Sequence, residues 1–139
     1  MTSERIFLDT VYIQAILNRA DQHRAHAVAL HPRVKVAREV WVTEAILLEV
    51  GAALSAVNRT AATRFLRSLY LTSNVHIVPI DAALFQRGLN LYEARPDKNW
   101  SLTDCISFVV MQDHVLYDAM TADEHFEQAG YNALMRVKL

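Results

Sequence analysis

Residues 100–131 read WSLTDCISFVVMQDHVLYDAMTADEHFEQAGY, and this segment carries the clearest structural pattern in the chain. Apolar residues recur at helical spacing from Leu102 to Val110, and Ser101 is well suited to cap such a helix. A short β-rich run over residues 117–121 follows, and Asp123 opens another short helix. A helix, a strand and a second helix in this order are typical of a parallel sheet with crossover helices.

The same alternation of short β-rich runs and longer helical stretches extends through the whole chain. We predict strands over residues 5–8, 39–42, 75–78, 117–121 and 133–137. We predict helices over residues 11–18, 21–31, 60–71, 81–92 and 123–128, one from Ser101 onward, and one after the second strand. The last places its apolar residues on a single stripe: Ile46, Leu47, Val50, Ala53, Leu54 and Val57. The predicted fold is a three-layer α/β/α sandwich with a mainly parallel, Rossmann-like sheet, formed by residues 1–139 as one domain.

The composition excludes several classes of protein. A chain of 139 residues with 53% hydrophobic residues can form a core without disulfides, and its single cysteine excludes an internal disulfide. The formal net charge of −1 argues against bulk electrostatic binding of nucleic acid, so any such contact is local. Asp9 and Gln14 interrupt the apolar N-terminal run, and no run approaches the roughly 20 residues that span a bilayer. We therefore expect a cytoplasmic protein without a membrane segment.

Four carboxylates are predicted to converge at one edge of this sheet. Asp9 ends the apolar strand RIFL and Asp123 follows the fourth strand, so both lie at strand carboxyl ends. Asp104 lies at the start of a helix that runs antiparallel to the strands, which places it at the same edge. Glu49 lies about two turns into the helix after the second strand and can point toward the same crevice.

Carboxylates gathered in a partly buried crevice repel one another and favour cations that neutralise them. Hard cations such as Mg²⁺ and Mn²⁺ take oxygen ligands and often bind through a few carboxylates. Two such ions about 4 Å apart can activate water and stabilise the leaving oxygen of a phosphodiester. We therefore predict that Asp9, Glu49, Asp104 and Asp123 are both catalytic and metal-binding, with hydrolysis of nucleic acid as the reaction.

Helix capping is the alternative explanation for the three aspartates. The spacing of Ser101 and Asp104 matches a capping box, and so does the spacing of Thr121 and Glu124. Asp9 could open the first helix, and Glu49 has no capping position but could lie on a solvated helix face. The sequence leaves both explanations open for each residue taken alone.

The remaining candidates for chemistry are weaker. His23 and His26 have ligand-like spacing without an acidic or cysteine partner, and Cys105 lies on an apolar helix face, as a core residue does. The other histidines are scattered: His31, His76, His114 and His125. Three basic clusters are candidates for phosphate contacts: Arg19 with Arg24; Arg33 with Lys35 and Arg38; and Arg59 with Arg64 and Arg67.

Three stretches resemble the PIN-domain family, which includes VapC-type toxins. They are IFLDTVYI at residues 6–13, TEAILLEVGAAL at residues 43–54, and the segment 100–131, so the resemblance covers nearly the whole chain. It implies a Mg²⁺- or Mn²⁺-dependent ribonuclease, commonly a homodimer and often held inactive by a cognate antitoxin. In this resemblance Asp9, Glu49, Asp104 and Asp123 match the acidic metal-binding quartet, and Thr10 and Thr121 match its supporting hydroxyl positions.

The chain departs from the family pattern between the long helix and the fourth strand. Many relatives have a glycine there, whereas this chain has His114, Val115, Leu116 and Tyr117. Residues 19–38 and 58–73 match no family motif, so we expect them to determine substrate, dimer contacts and antitoxin binding.

The leading hypothesis is an endoribonuclease that acts as the toxin of a type II toxin-antitoxin pair and leaves a 5′-phosphate. A housekeeping RNA-processing nuclease without an antitoxin is one alternative. A non-catalytic module that binds RNA or protein is another, although an intact acidic quartet argues against it. A phosphohydrolase or receiver-like domain using Asp9 is disfavoured because no D-x-D pair follows the first strand.

Overall fold

The computed structural model describes residues 2–138, so the first and last residues of the predicted domain lie outside the described part. Its sheet has five strands: β1 (Arg5–Leu8), β2 (Glu39–Thr43), β3 (Val75–Val78), β4 (Asp118–Met120) and β5 (Asn132–Ala133). Their order is β3-β2-β1-β4-β5, and every neighbouring pair is parallel. From β1 the chain continues to β2 and β3 on one side, and from β4 it continues to β5 on the other side. The strand order therefore reverses between the neighbours β1 and β4, which is where ligands bind in open parallel sheets.

The helices connect these strands as crossovers. They are α1 (Thr10–Leu17), α2 (Arg24–Lys35), α3 (Glu44–Leu54), α4 (Arg59–Leu71), α5 (Ala82–Ala94), α6 (Leu102–Asp113) and α7 (Glu124–Gln128). Polar side chains satisfy the free N–H groups at several starts, with Thr43, Asn58 and Asp81 accepting from α3, α4 and α5. Among the helices of residues 2–138, none has the length and apolar character needed to cross a membrane.

The predicted α/β/α sandwich is confirmed. Helix α1 packs on α2 and α3, α3 packs on α4, and α5 packs on α6. The central strand β1 is almost completely buried, because Ile6, Phe7 and Leu8 expose 1% of their surface or less. Helices that cover both faces of a parallel sheet produce this continuous apolar burial.

Helices α5 and α6 approach each other closely at Gly88. A Cβ atom at this position would lie 2.5 Å from Cγ1 of Ile106, which is inside van der Waals contact. Glycine therefore permits the spacing of the two helices, and α6 in turn carries Asp104 to the sheet edge.

Two of the predicted elements were placed incorrectly. The predicted fifth strand exists, but its predicted range 133–137 is wrong, since pairing covers only Asn132–Ala133 and residues Leu134–Arg136 form a 3₁₀ helix. This turn buries Leu134 and Met135 in the core, and the Met135 N–H bonds the carbonyl of Thr121. Helix α2 begins three residues later than the predicted range 21–31 and continues past Pro32 to Lys35.

Val115 lies between α6 and β4, and its backbone has φ 54°. Helix α6 ends there in a Schellman motif, in which the Leu116 N–H bonds the Met111 carbonyl at 2.8 Å and the Val115 N–H bonds the Gln112 carbonyl at 3.3 Å. The motif requires the left-handed conformation at residue 115, which a β-branched side chain adopts only with strain.

Replacing Val115 with glycine is therefore expected to stabilise the protein by about 1 kcal/mol, because the steric penalty of the left-handed region disappears. Little packing is lost, since Val115 is 57% exposed. Urea denaturation of the wild type, Val115→Gly and Val115→Ala measures the effect, with alanine expected to gain less because it keeps a Cβ atom. A glycine variant less stable than the wild type would contradict this explanation.

Candidate metal centre

A cleft of about 650 Å³ opens at the carboxyl edge of the sheet, beyond the ends of β1 and β4. The four predicted carboxylates, Asp9, Glu49, Asp104 and Asp123, all line it, although they come from different elements. Residues that the sequence analysis did not single out for this site also line it: Gln14, Asn99, Ser101 and His125.

Asp9 lies directly after β1 and is 5% exposed. It is the N-cap residue of α1, but its side chain makes no capping bond, so capping does not explain it. Its Oδ2 instead accepts a hydrogen bond of 2.6 Å from the Thr121 hydroxyl, which ties the end of β1 to the end of β4. Burial raises the pKa of Asp9 to about 7, with smaller contributions from the charges of Asp104 and Asp123.

Glu49 is held by the residue that follows Asp9. The Thr10 hydroxyl donates to Oε1 of Glu49 at 2.7 Å, because α1 and α3 pack side by side. The alternative of a free glutamate on a solvated helix face therefore does not describe this residue. One short segment, Asp9 and Thr10, thus supplies one carboxylate and orients a second.

Asp104 caps its helix and also lines the cleft. It forms a capping box with Ser101, whose hydroxyl accepts from the Asp104 N–H at 3.0 Å while Asp104 Oδ2 accepts from the Ser101 N–H at 3.1 Å. The same carboxyl group lines the cleft, and burial raises its pKa, with the charge of Asp123 adding to the shift. Capping and a place in the cleft are therefore compatible at this residue.

Asp123 is the N-cap of α7, and its Oδ1 accepts from the His125 N–H at 2.9 Å. The Thr121 hydroxyl accepts from the Asp123 N–H at 3.0 Å. The proposed capping box between Thr121 and Glu124 is wrong, because the helix begins two residues later and Thr121 instead connects Asp9 to the Asp123 backbone.

His125 is the site residue that sequence reasoning missed. Its Nδ1 lies 3.0 Å from Oδ2 of Asp104 and 3.4 Å from Oδ1 of Asp123. Ligand atoms of these three residues lie within 4.8 Å of one another, as a metal site requires. The available signal was the position of His125 in the first turn of a helix that Asp123 caps.

Apart from the imidazole of His125, no basic side chain within residues 2–138 pairs with the four carboxylates, since no Lys or Arg forms an ion pair with them. Arginines pair instead with carboxylates elsewhere: Glu4, Glu39, Asp97, Asp113 and Glu127. Unneutralised carboxylates in a partly buried cleft form a set of oxygen donors that suits a hard divalent cation. The residues present therefore fit Mg²⁺ or Mn²⁺.

The other candidate residues lie outside this cleft. Cys105 is buried, and burial raises its pKa to about 11, as expected for an inert core thiol. His23 and His26 do not belong to the group of metal-ligating atoms found among residues 2–138. Among the basic clusters, Arg33 pairs with Glu4, whereas the cluster on α4 is exposed: Arg59, Arg64 and Arg67.

Comparison with solved structures supports the fold. The chain matches VapC20 of Mycobacterium tuberculosis, described as a sarcin-ricin loop cleaving toxin, with a TM-score of 0.80 and 22% identity over 91% of this chain and 95% of that chain. It matches FitAcB from Neisseria gonorrhoeae with a TM-score of 0.59 and 18% identity over 92% and 95% of the two chains. No curated protein sequence gives a significant match.

The sequence also matches a family model. The model of the PIN domain aligns with residues 6–131, which include the four carboxylates of the cleft and strands β1 to β4 apart from Arg5, whereas β5 lies beyond the matched range. The resemblance inferred from the three sequence stretches is thereby confirmed, and the chain belongs to the PIN domain family.

Proposed function

We propose that this protein is a metal-dependent endoribonuclease whose cleft binds Mg²⁺ or Mn²⁺ through Asp9, Glu49, Asp104 and Asp123. The observation that carries the proposal is the convergence of four carboxylates from four elements, with no lysine or arginine pairing with them in residues 2–138. Such a cluster costs free energy unless a cation compensates it. The proposal on RNA as substrate draws on family membership and on the likeness to VapC20.

Hydroxyl and imidazole groups hold the carboxylates in place for this chemistry. The Thr121 hydroxyl donates to one carboxylate oxygen of Asp9, and the Thr10 hydroxyl donates to one carboxylate oxygen of Glu49. The imidazole of His125 is hydrogen-bonded to Asp104. A divalent cation bound there would activate water for in-line attack on the phosphodiester and stabilise the leaving oxygen, which leaves a 5′-phosphate. The protein's own contribution is to fix the ligand geometry before substrate arrives, as hydrogen bonds to metal ligands commonly do.

We further propose that the enzyme acts as a cytoplasmic toxin, is a homodimer and has a cognate antitoxin. The likeness to VapC20, itself described as a toxin, supports the first statement. Apolar residues exposed on α3 and α4 provide surface for protein contacts, with Leu48 and Leu71 exposed by 69% and 87%.

Replacing Asp104 with asparagine is expected to reduce RNA cleavage by roughly 100-fold or more, because a charged ligand of the cation is lost while the side chain keeps its size. The measurement is cleavage of total cellular RNA in Mg²⁺, Mn²⁺ or EDTA. Asp113→Asn is the matched control, since Asp113 lies at the opposite end of α6 and pairs with Arg87. Equal cleavage by both variants and the wild type, or cleavage in EDTA, would refute the proposal.

The raised pKa of Asp9 predicts how stability depends on pH in EDTA. Because its pKa is about 7, Asp9 keeps its proton in the folded protein up to about pH 7, whereas the unfolded chain releases it near the ordinary pKa of 3.8. The free energy of unfolding should therefore fall between these values as pH rises, by up to about 4 kcal/mol, and level off above them.

Urea denaturation at several pH values measures this dependence, and Asp9→Asn should abolish most of it and stabilise the metal-free protein at pH 8. Excess Mg²⁺ should stabilise the wild type more at pH 8 than at pH 5, because the cation binds the ionised carboxylates. A variant with the wild-type pH dependence would show that another group is responsible.

The toxin proposal has its own test in living cells. Induced expression of the wild-type chain in a bacterial host is expected to arrest growth, and Asp104→Asn is not, because arrest requires RNA hydrolysis. Growth curves at matched protein levels measure the difference. Normal growth with an enzyme that cleaves RNA in vitro would instead favour a housekeeping nuclease.

A further inference from the structure

A second cavity, of about 780 Å³, adjoins the acidic cleft. It is formed by the end of α5 and the segment that leads into α6, and Leu89, Tyr92, Arg95, Lys98 and Trp100 are among its lining residues. Asn99 and Ser101 line both this cavity and the acidic cleft, so the two lie side by side. Its volume lies within the range of roughly 300–1,000 Å³ that is typical of ligand pockets.

Trp100 forms a fixed wall of this cavity. It is 6% exposed, its Nε1 donates to Oε1 of Gln128 at 3.1 Å, and its ring packs edge-on against Phe108 at 5.0 Å. An indole that is bonded at one end and packed along its edge has little freedom to move.

Arg95 lies over this indole, with its guanidinium carbon 4.9 Å from the ring centroid. Asp97 accepts two hydrogen bonds of 3.0 Å from Nε and Nη2 of the same guanidinium. The carboxylate and the indole together hold the guanidinium plane in one orientation, although 40% of the Arg95 side chain remains exposed. The result is a pre-organised cationic plane beside the cleft.

We propose that this cavity binds an unpaired nucleotide of the RNA substrate next to the scissile phosphodiester, which rests on the proposed ribonuclease function. The Arg95 guanidinium and the Tyr92 ring, which is 50% exposed, offer planar surfaces on which a base stacks. Lys98 lines the same cavity and supplies a cation for a phosphate.

Local cations favour this occupant. The acidic cleft alone repels a polyanion, so the substrate needs cationic groups close to it. The adjoining cavity supplies Lys98 and the Asp97-paired Arg95, against one lining acid, Glu93. The nucleotide must be unpaired because a base in a duplex has both faces covered and cannot stack on the protein. The cavity therefore selects single-stranded RNA or a loop in folded RNA.

Binding of a fluorescein-labelled single-stranded RNA oligonucleotide, measured by anisotropy in EDTA, tests the proposal without cleavage. Arg95→Ala and Tyr92→Ala are each expected to weaken binding about 10-fold, as the loss of a stacking surface does. Arg95→Lys keeps the charge but not the plane, and we expect it to recover only part of the affinity. Arg87→Ala is the matched control, because Arg87 makes a similar bidentate pair with Asp113 but lines neither cavity.

Thermal unfolding of each variant establishes that it is folded, and Lys98→Gln provides a further substitution if Arg95→Ala is not. Wild-type affinity in the folded Arg95, Tyr92 and Lys98 variants would overturn the proposal, and so would an equal loss in Arg87→Ala. Preference for a duplex of the same sequence over the single strand would also overturn it.

Cleavage kinetics in Mg²⁺ separate this proposal from the proposed function. Arg95→Ala is expected to raise KM about 10-fold with little change in kcat, because the subsite binds substrate but does not take part in the reaction. A wild type that cleaves RNA with unchanged KM in the variant would overturn the subsite alone. A wild type that binds RNA through Arg95 but cleaves none would overturn the nuclease and retain the subsite.

Discussion

The buried carboxyl group of Asp9, bonded by the Thr121 hydroxyl at 2.6 Å, joins the ends of the two central strands. The sheet order places β1 between β2 and β4, so elements leaving these three strands surround the Asp9 position. Thr10 then orients Glu49, and Thr121 also bonds the Asp123 backbone. The remainder of the cleft is thus built outward from a single segment at the end of β1, through short hydrogen bonds rather than through ion pairs.

A site of this kind reduces the stability of the metal-free fold. Burial opposes ionisation of Asp9 and Asp104, and neighbouring carboxylates add to the effect. The continuous apolar core around β1 tolerates this cost, since Ile6, Phe7 and Leu8 are buried on both faces of the sheet. A bound cation would convert the same repulsion into affinity, so that metal binding, folding and activity are linked through the same groups.

Two cationic side chains lie in the cavity that adjoins the acidic cleft. An RNA substrate is a polyanion, whereas the net charge of the chain is −1, so affinity depends on where the cations lie rather than on their number. The segment between α5 and α6 places Arg95 and Lys98 next to the acidic residues, and the Ser101 cap joins the two regions. Helix α6 carries Asp104 in its first turn and is followed by the strained backbone of Val115. The strained residue therefore lies at the opposite end of the helix from the carboxylate in the cleft.

Local patterns in the sequence were sufficient to predict strands β1 to β4, the parallel sheet and the Ser101 cap. They also predicted that four carboxylates meet at one edge of the sheet. Strand and helix periodicity and the direction of crossovers are properties of short segments, so the sequence alone reveals them. Local patterns could not identify His125 as a partner of Asp104, the Thr10 bond to Glu49, or the arrangement of Arg95 over Trp100. These contacts depend on how α7, α1 and the loop before α6 pack, and the bonds to Asp104, Glu49 and Asp9 span 21, 39 and 112 residues. The end of β5 was misplaced for the same reason, since burial of Leu134 and Met135 against the finished core overrides their strand propensity.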